Sequence, residues 1–304
     1  MLGLITLSLF STGRGQAGPT PPPVTAVSHI AVYASDQVKS ETYYQHDLGG
    51  IKGPDPENAA GVRYYFGATQ FVEVLPLPVG PPSIDRLDHV AFVTPDAEAM
   101  RRYLASQQVA VPARVSLGAD QSRWFDVVDP EGHKIQFVQP PPHPPAVPAN
   151  GLSNHILHVG FIVHDPVLED SFFIKVLGFR IYWQGGFSQD KMLWIWRQLP
   201  ESRDWLEYMI AGSPDGRGIP PDMSQDAAGA MNHFALGVAN IESSYTLLWN
   251  AGRLTEHHNN PMIGHSAKWE YALFDPDGTR TEVMEFHAIG KACCSPVTAA
   301  EPDE

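Results

Sequence analysis

Hydrophobic and polar positions along the chain repeat in a four-fold pattern. Ser28-His29-Ile30-Ala31-Val32, Asp88-His89-Val90-Ala91-Phe92, Leu157-His158-Val159-Gly160-Phe161 and Asn232-His233-Phe234-Ala235-Leu236 each open on a histidine and run into a short apolar stretch. A run of this length bounded by polar residues reads as a buried strand. Helical stretches follow over Val38–Asp47, Ala97–Gln107, Val167–Val176 and Ile241–Ala251, and Gly49-Gly50, Gly178 and Gly252 close three of them in the way a helix C-terminus prefers. Each unit then continues in further strands: Val62–Phe66 and Phe71–Leu75, Ser122–Val128 and Lys134–Val138, Met192–Arg197 and Trp205–Ile210, Lys268–Phe274 and Thr281–Phe286. Asp129-Pro130-Glu131-Gly132 and Asp275-Pro276-Asp277-Gly278 supply tight turns before the last strand of the second and fourth units. The order strand, helix, strands thus recurs four times, and a fixed internal period governs the reading of the whole fold.

The repeat also places chemistry. Each leading histidine has a Glu or Gln on a later strand of its own unit: Glu73 after His29, Gln136 after His89, Glu207 after His158 and Glu282 after His233. Alternation along a strand lets neighbouring strands point one such residue each into a common cleft. Neutral imidazoles and carboxylates together suit a divalent metal. Read singly, each histidine is equally a core residue bonded to a backbone carbonyl; the matching places of four give the metal reading its weight.

Two proline-rich stretches divide the chain. Residues 18–23 separate a leader from the first strand, and residues 140–151 form an extended linker between halves at 24–139 and 152–289. Residues 290–304 carry no apolar period and read as a disordered tail. The apolar run Met1–Phe10 followed by Gly15-Gln16-Ala17 reads as a signal peptide over 1–17 without its basic start, so export to a periplasmic or extracellular space is expected, or a cytoplasmic location if the segment is no signal. The run is too short to span a bilayer, and no later segment does so. The adjacent Cys293 and Cys294 are the only cysteines; neighbouring cysteines pair only with strain, so they are read as bystanders. Thirty-four acidic against 20 basic residues give a net charge of −14, and no basic stripe offers itself to nucleic acid.

These motifs resemble the vicinal oxygen chelate superfamily, which includes glyoxalase I, extradiol ring-cleaving dioxygenases and drug-binding relatives. The stretches Leu157-His158-Val159 to Lys175-Val176-Leu177-Gly178-Phe179 and Asp275-Pro276-Asp277-Gly278 with Glu282 look like the opening and closing units of a glyoxalase. The resemblance covers about residues 24–289 and implies an α+β fold of βαβββ modules, paired into two domains, each enclosing a cleft. It carries the metal role to His158, Glu207, His233 and Glu282 in the C-terminal half. There it implies one divalent ion (Zn, Ni, Co or Mn) and a lyase or isomerase that moves a proton beside a carbonyl through an enediolate, with Glu207 or Glu282 as base. The substrate would be a small molecule that chelates through oxygen. His29, Glu73, His89 and Gln136 in the N-terminal half have an amide in place of one carboxylate and read as a degenerate, structural site. The rival implication is an Fe(II) extradiol dioxygenase using His158, His233 and Glu282, with His265 in Ile263-Gly264-His265 as acid–base. That signature expects Tyr three residues before Asp-Pro; here the place holds Ala272, and Tyr271 sits one residue early, on the opposite face of a strand. Non-catalytic binding of a small molecule is the third reading. The aromatics Tyr182, Trp183, Phe187, Trp194, Trp196 and Trp205 read as sheet packing or as the wall of an apolar pocket. His155, His257 and His258 fall outside the apolar runs and read as loop histidines, which is also the alternative reading of His265. The sequence leaves the oligomeric state open.

Overall fold

The computed structural model describes residues 20–79, 86–148, 152–189, 191–212, 219–220, 223 and 231–303. The expected leader over 1–17 lies outside the described residues, as do parts of both proline-rich stretches. Strands β1 (Ala26–Ala34) to β8 (Lys134–Gln139) form one eight-stranded sheet, and β9 (Ile156–Val163) to β16 (Arg280–Glu285) form a second. The first sheet runs β2-β3-β4-β1-β5-β8-β7-β6 and the second β10-β11-β12-β9-β13-β16-β15-β14. The intervening strands are β2 (Ile51–Pro54), β3 (Val62–Gly67), β4 (Gln70–Pro76), β5 (Leu87–Val93), β6 (Ser116–Leu117) and β7 (Arg123–Val128), then β10 (Arg180–Gly185), β11 (Trp194–Gln198), β12 (Trp205–Ile210), β13 (His233–Val238), β14 (Met262–Ile263) and β15 (Trp269–Phe274).

Each sheet consists of two modules. Within a module the first strand pairs in parallel with the last, as β1 does with β4 and β9 with β12. The helix between them supplies the crossover that a parallel pair needs. Among the described residues the helices are α1 (Gln37–Glu41, continued as a π-helical stretch over Thr42–Asp47), α2 (Ala97–Ser106), α3 (Pro166–Phe173) and α4 (Ile241–Asn250). All four open on an Asp or Asn (Asp36, Asp96, Asp165, Asn240) whose side chain accepts from backbone N–H groups of the first turn. Helix α3 stops short of the expected Val176, because residues 174–177 leave the α-helix in turns before Gly178 takes a left-handed φ of 78°. The two modules of each half meet at an antiparallel seam of their leading strands, β1 with β5 and β9 with β13.

The halves share one apolar core that includes Val27, Phe92, Phe161, Phe173 and Phe234. Reciprocal polar clamps fix their relation. Gln70, three residues before Glu73, gives its amide N–H to Ile156 O and accepts from Ile156 N, two residues before His158. Asp204, three residues before Glu207, accepts from Val27 N, two residues before His29. The tight turns cross over in the same manner. Glu131 accepts from the N–H groups of His164 and Asp165 at the start of α3, and Asp277 accepts from Ser35 N beside α1. Each half therefore holds the leading strand of the other.

The C-terminal segment corrects the sequence expectation. Residues 290–303 are docked, not disordered: Thr298 N donates to Tyr182 O, Gln184 N to Ser295 Oγ, and the Gln198 amide to Ala300 O. Glu301 pairs with the buried Lys268 at 3.1 Å. Cys293 and Cys294 are likewise not free; they are bonded to each other and sit between the His265 loop and Gly186–Ser188. These contacts come from isolated polar groups and backbone atoms, which leave no periodic signal. No helix among the described residues is long and apolar enough to cross a membrane.

Candidate metal centre

Register brings the candidate ligands together. On the neighbouring strands β12, β9, β13 and β16, Glu207 lies opposite Gly160, and Gly160 opposite His233. On the next same-face row His158 lies opposite Ala235, and Ala235 opposite Glu282. Each row thus carries two long ligand side chains flanking a small residue. A Cβ built on Gly160 would lie 2.2 Å from His233 Cε1, so the imidazole occupies the space that any larger residue would fill. The small residue two places after each leading histidine (Ala31, Ala91, Gly160, Ala235) is the sequence signal for this arrangement.

The four ligand atoms converge. His158 Nε2 is 3.0 Å from His233 Nε2, 3.4 Å from Glu207 Oε2 and 3.4 Å from Glu282 Oε2, and His233 Nε2 is 3.6 Å from Glu207 Oε2. Bonds of about 2.0–2.2 Å to one ion would separate neighbouring donors by roughly 3.0–3.5 Å. The site therefore has the dimensions of a coordination shell. The His233 tautomer agrees: its Nδ1 faces Met231 O at 2.8 Å, and since a carbonyl only accepts, the proton sits on Nδ1 and Nε2 offers its lone pair. His158 and His233 are fully buried; His158 packs at a tilt against Trp196 and Trp205 and edge-on against His233.

Charge is set by the surroundings. Burial lowers the proton affinity of His158, against the opposing pull of Glu282 and Glu207. Burial alone would raise Glu282, but Arg280, with its guanidinium 3.1 Å from Glu282 Oε1, and the two histidines hold it well below the usual range. Trp196 Nε1 donates to Glu207 Oε2 at 2.9 Å. A cavity of about 90 Å³ opens beside the ligands, lined by Trp183, Trp194, Trp196, His265, Glu270 and Met284 among others. Both readings of the aromatics apply: Trp183, Trp194 and Trp196 line the cavity, and Trp183 and Trp196 also pack with Tyr182 and Trp205 in one buried cluster. His265 stacks on Trp194 at 5.2 Å, at the exposed mouth.

Glu270 and Arg280 were not singled out from the sequence. Glu270 occupies the cleft face of β15, with its carboxylate against Gly264, and burial followed by the charges of Glu282 and Glu207 pushes its pKa well up. The signal for both was an even spacing: Glu270 stands two residues from Ala272, which pairs with Glu282, and Arg280 stands two before Glu282 itself. Tyr271 points to the core and bonds Ser244, so the cleft position of a dioxygenase tyrosine is held by Ala272. His155 binds Asp204 at 2.8 Å and takes no part in the site. His257 stacks on Phe274 in solvent, whereas His258 is half-buried between Thr255 O and Tyr245 and does not simply face water.

The N-terminal half repeats the rows. Glu73 lies opposite Ala31 and Ala31 opposite His89, while His29 lies opposite Ala91 and Ala91 opposite Gln136. His29 Nε2 and His89 Nε2 are 2.9 Å apart, and Glu73 Oε2 is 3.9 and 3.7 Å from them. Arg63 takes the place of Trp196, since each lies opposite its module's ligand glutamate. Its guanidinium rests on Phe71 and binds Glu57 at 2.5 Å and Asp55 at 3.3 Å. Burial, then contact with Asp55 and the charge of Glu57, pushes Glu73 up to about 10. Among the described residues a third group, Asp129, His133 and Glu169, also brings three potential ligand atoms together where the halves meet.

No protein-family model and no curated protein matches the chain. Solved structures do. Homoprotocatechuate 2,3-dioxygenase from Arthrobacter globiformis is similar at a TM-score of 0.66 and 14% identity, over 94% of this chain and 88% of that one. The Mn(II)-bound glyoxalase from Novosphingobium aromaticivorans gives a TM-score of 0.63 at 16% identity, over 87% and 83%. The 2,3-dioxygenase LapB from a Pseudomonas species gives 0.62 at 14%, over 88% and 93%. With its paired modules and clefts, the chain has the two-domain fold of the vicinal oxygen chelate superfamily.

Proposed function

We propose that the protein is a metal-dependent lyase or isomerase of glyoxalase type, which moves a proton next to a carbonyl in a small oxygen-chelating substrate. The observation that carries this reading is the fourth donor. Glu207 lies as close to His158 as Glu282 does, at 3.4 Å each. A divalent first-row ion accepts about six donors, so four from the protein leave about two. Two positions suffice for a substrate that chelates through two oxygens. Ring cleavage needs a further position for O2, and Glu207 takes it.

A divalent ion held by His158, Glu207, His233 and Glu282 would act as a Lewis acid on the substrate's carbonyl oxygen. The residues divide the remaining work. Arg280 ties Glu282 down as a ligand through the carboxylate oxygen that does not face His158. Glu207 accepts only from Trp196 among the described hydrogen bonds and is the freer carboxylate, which suits it to take the proton. Glu270, whose pKa burial and the charges of Glu282 and Glu207 push up, lines the same cavity and is placed to donate a proton when it carries one. The tryptophans exclude water and select a compact, apolar substrate body. His265 stands at the mouth as a second acid–base group.

The fold relatives include both chemistries, so the test must separate them. Turnover of 2-oxoaldehydes and their thiol adducts, followed by loss of substrate, is expected to need metal and to fall at least about 100-fold in Glu207→Gln. Catechols are expected to give no oxygen uptake. Steady oxygen uptake with a catechol, retained in Glu207→Gln, would replace this reading with extradiol cleavage using His158, His233 and Glu282.

A further inference from the structure

The N-terminal cleft brings three potential ligand atoms together, from His29, Glu73 and His89. His89 Nδ1 lies 2.7 Å from Asp88 Oδ2, and a carboxylate accepts, so His89 Nδ1 donates. His89 Nε2 faces His29 Nε2 at 2.9 Å, and His29 Nδ1 lies 3.0 Å from Ser28 Oγ. Gln136 gives its amide hydrogens to Glu57 and Asp126, and its oxygen, the atom that could ligate, is buried with no donor. Buried polar atoms in native proteins are nearly always paired, so this oxygen calls for a partner.

Arg63 is not that partner. Its guanidinium is engaged by Glu57 and Asp55, and it stays 3.9 Å from Glu73 Oε1. With Phe71, Pro140, Pro141 and Pro145, Arg63 lines a separate space of about 20 Å³, while His29, Glu73, His89 and Gln136 are all buried.

We propose that His29, Glu73 and His89, with Gln136, bind a second divalent metal ion in a closed, structural site that admits no substrate. Asp88, which receives the His89 proton and the Lys134 ammonium, fixes the imidazole from behind in the way metal-ligating histidines are usually held.

The test is a metal count on the full-length protein, loaded with Zn(II) or Mn(II), desalted and measured by elemental analysis. The wild type is expected to hold about two ions, His233→Ala about one, His89→Ala about one, and the double variant none. In His233→Ala, removing the remaining ion with chelator is expected to lower the melting temperature by at least about 5 °C. If wild type holds one ion and His233→Ala none, the second site is empty and the inference falls while the C-terminal site stands. If wild type and His233→Ala each hold one and His89→Ala none, the inference stands and the C-terminal ligand set is wrong. Should His89→Ala fail to fold, Glu73→Gln replaces it; two ions retained in that variant would place the second ion elsewhere and overturn the inference.

Discussion

The rows Glu207–Gly160–His233 and Glu73–Ala31–His89 occupy matching places in two sheets of the same topology, yet they sit in different surroundings. Opposite Glu207 stands Trp196, an apolar wall that donates one hydrogen bond; opposite Glu73 stands Arg63, a cation with its own pair of acids. The last ligand position carries Glu282 tied to Arg280 in one half and Gln136 tied to Glu57 in the other. Beside the C-terminal ligands the tryptophans leave a cavity of about 90 Å³; Arg63 and the prolines line a smaller space of about 20 Å³ in the N-terminal half. The lesson is that the rows set where donors meet, and the residues one strand further out decide whether a substrate can reach them.

That division can be broken by substitution. The largest effect is expected for His233→Ala, which removes one of four donors: turnover should drop by at least about 10³-fold, as loss of several kcal/mol of Lewis-acid stabilisation implies, with C-terminal metal lost in parallel. Gly160→Ala comes next. Its methyl group displaces the His233 ring, and metal affinity should fall about 10- to 100-fold by titration calorimetry. The same position of the other half already carries Ala31, so Ala31→Gly should leave turnover within about twofold.

Acid should weaken both halves through their histidines. Burial holds His158 and His29 below the ordinary value of 6.5, so each stays neutral in the fold while the unfolded chain takes up protons. The unfolded state then binds more protons, and stability falls as pH drops below 6.5 toward the folded values. Glu282, held low after its burial is offset by Arg280 and the histidines, adds a loss below its ordinary 4.5. The urea midpoint measured from about pH 7 to about pH 5 is expected to decline, more steeply for the metal-loaded protein because protons compete for the imidazoles. A flat profile would mean the histidines are charged in the fold. The smallest effect belongs to the clamps. Gln70→Ala leaves Ile156 N and O unpaired in the core and should cost about 1–3 kcal/mol by denaturant unfolding, with metal content unchanged.

Much of this was legible in the chain. His-led apolar runs at a repeating interval place β1, β5, β9 and β13, and the turns at Asp129-Pro130 and Asp275-Pro276 place the closing strands, because burial on one face imposes a period of two. The outer strands were not legible. Ile51-Lys52-Gly53-Pro54 is half polar with Gly and Pro, and β6 and β14 have two residues each, too few for a pattern. Glu270 and Arg280 escaped notice because their importance lies in what strand pairing brings near them. The docked tail was invisible for a related reason: its anchors are single groups such as Lys268, Trp183 and Gln198, each far away in sequence.

The most direct measurement is an anomalous difference map from crystals of the protein grown with Mn(II). The account predicts a peak in the C-terminal cleft within about 2.0–2.3 Å of one donor atom each from His158, Glu207, His233 and Glu282. A peak bonded to His158, His233 and Glu282 alone, with Glu207 swung beyond about 3 Å, would contradict it and leave the three-donor geometry suited to oxygen chemistry.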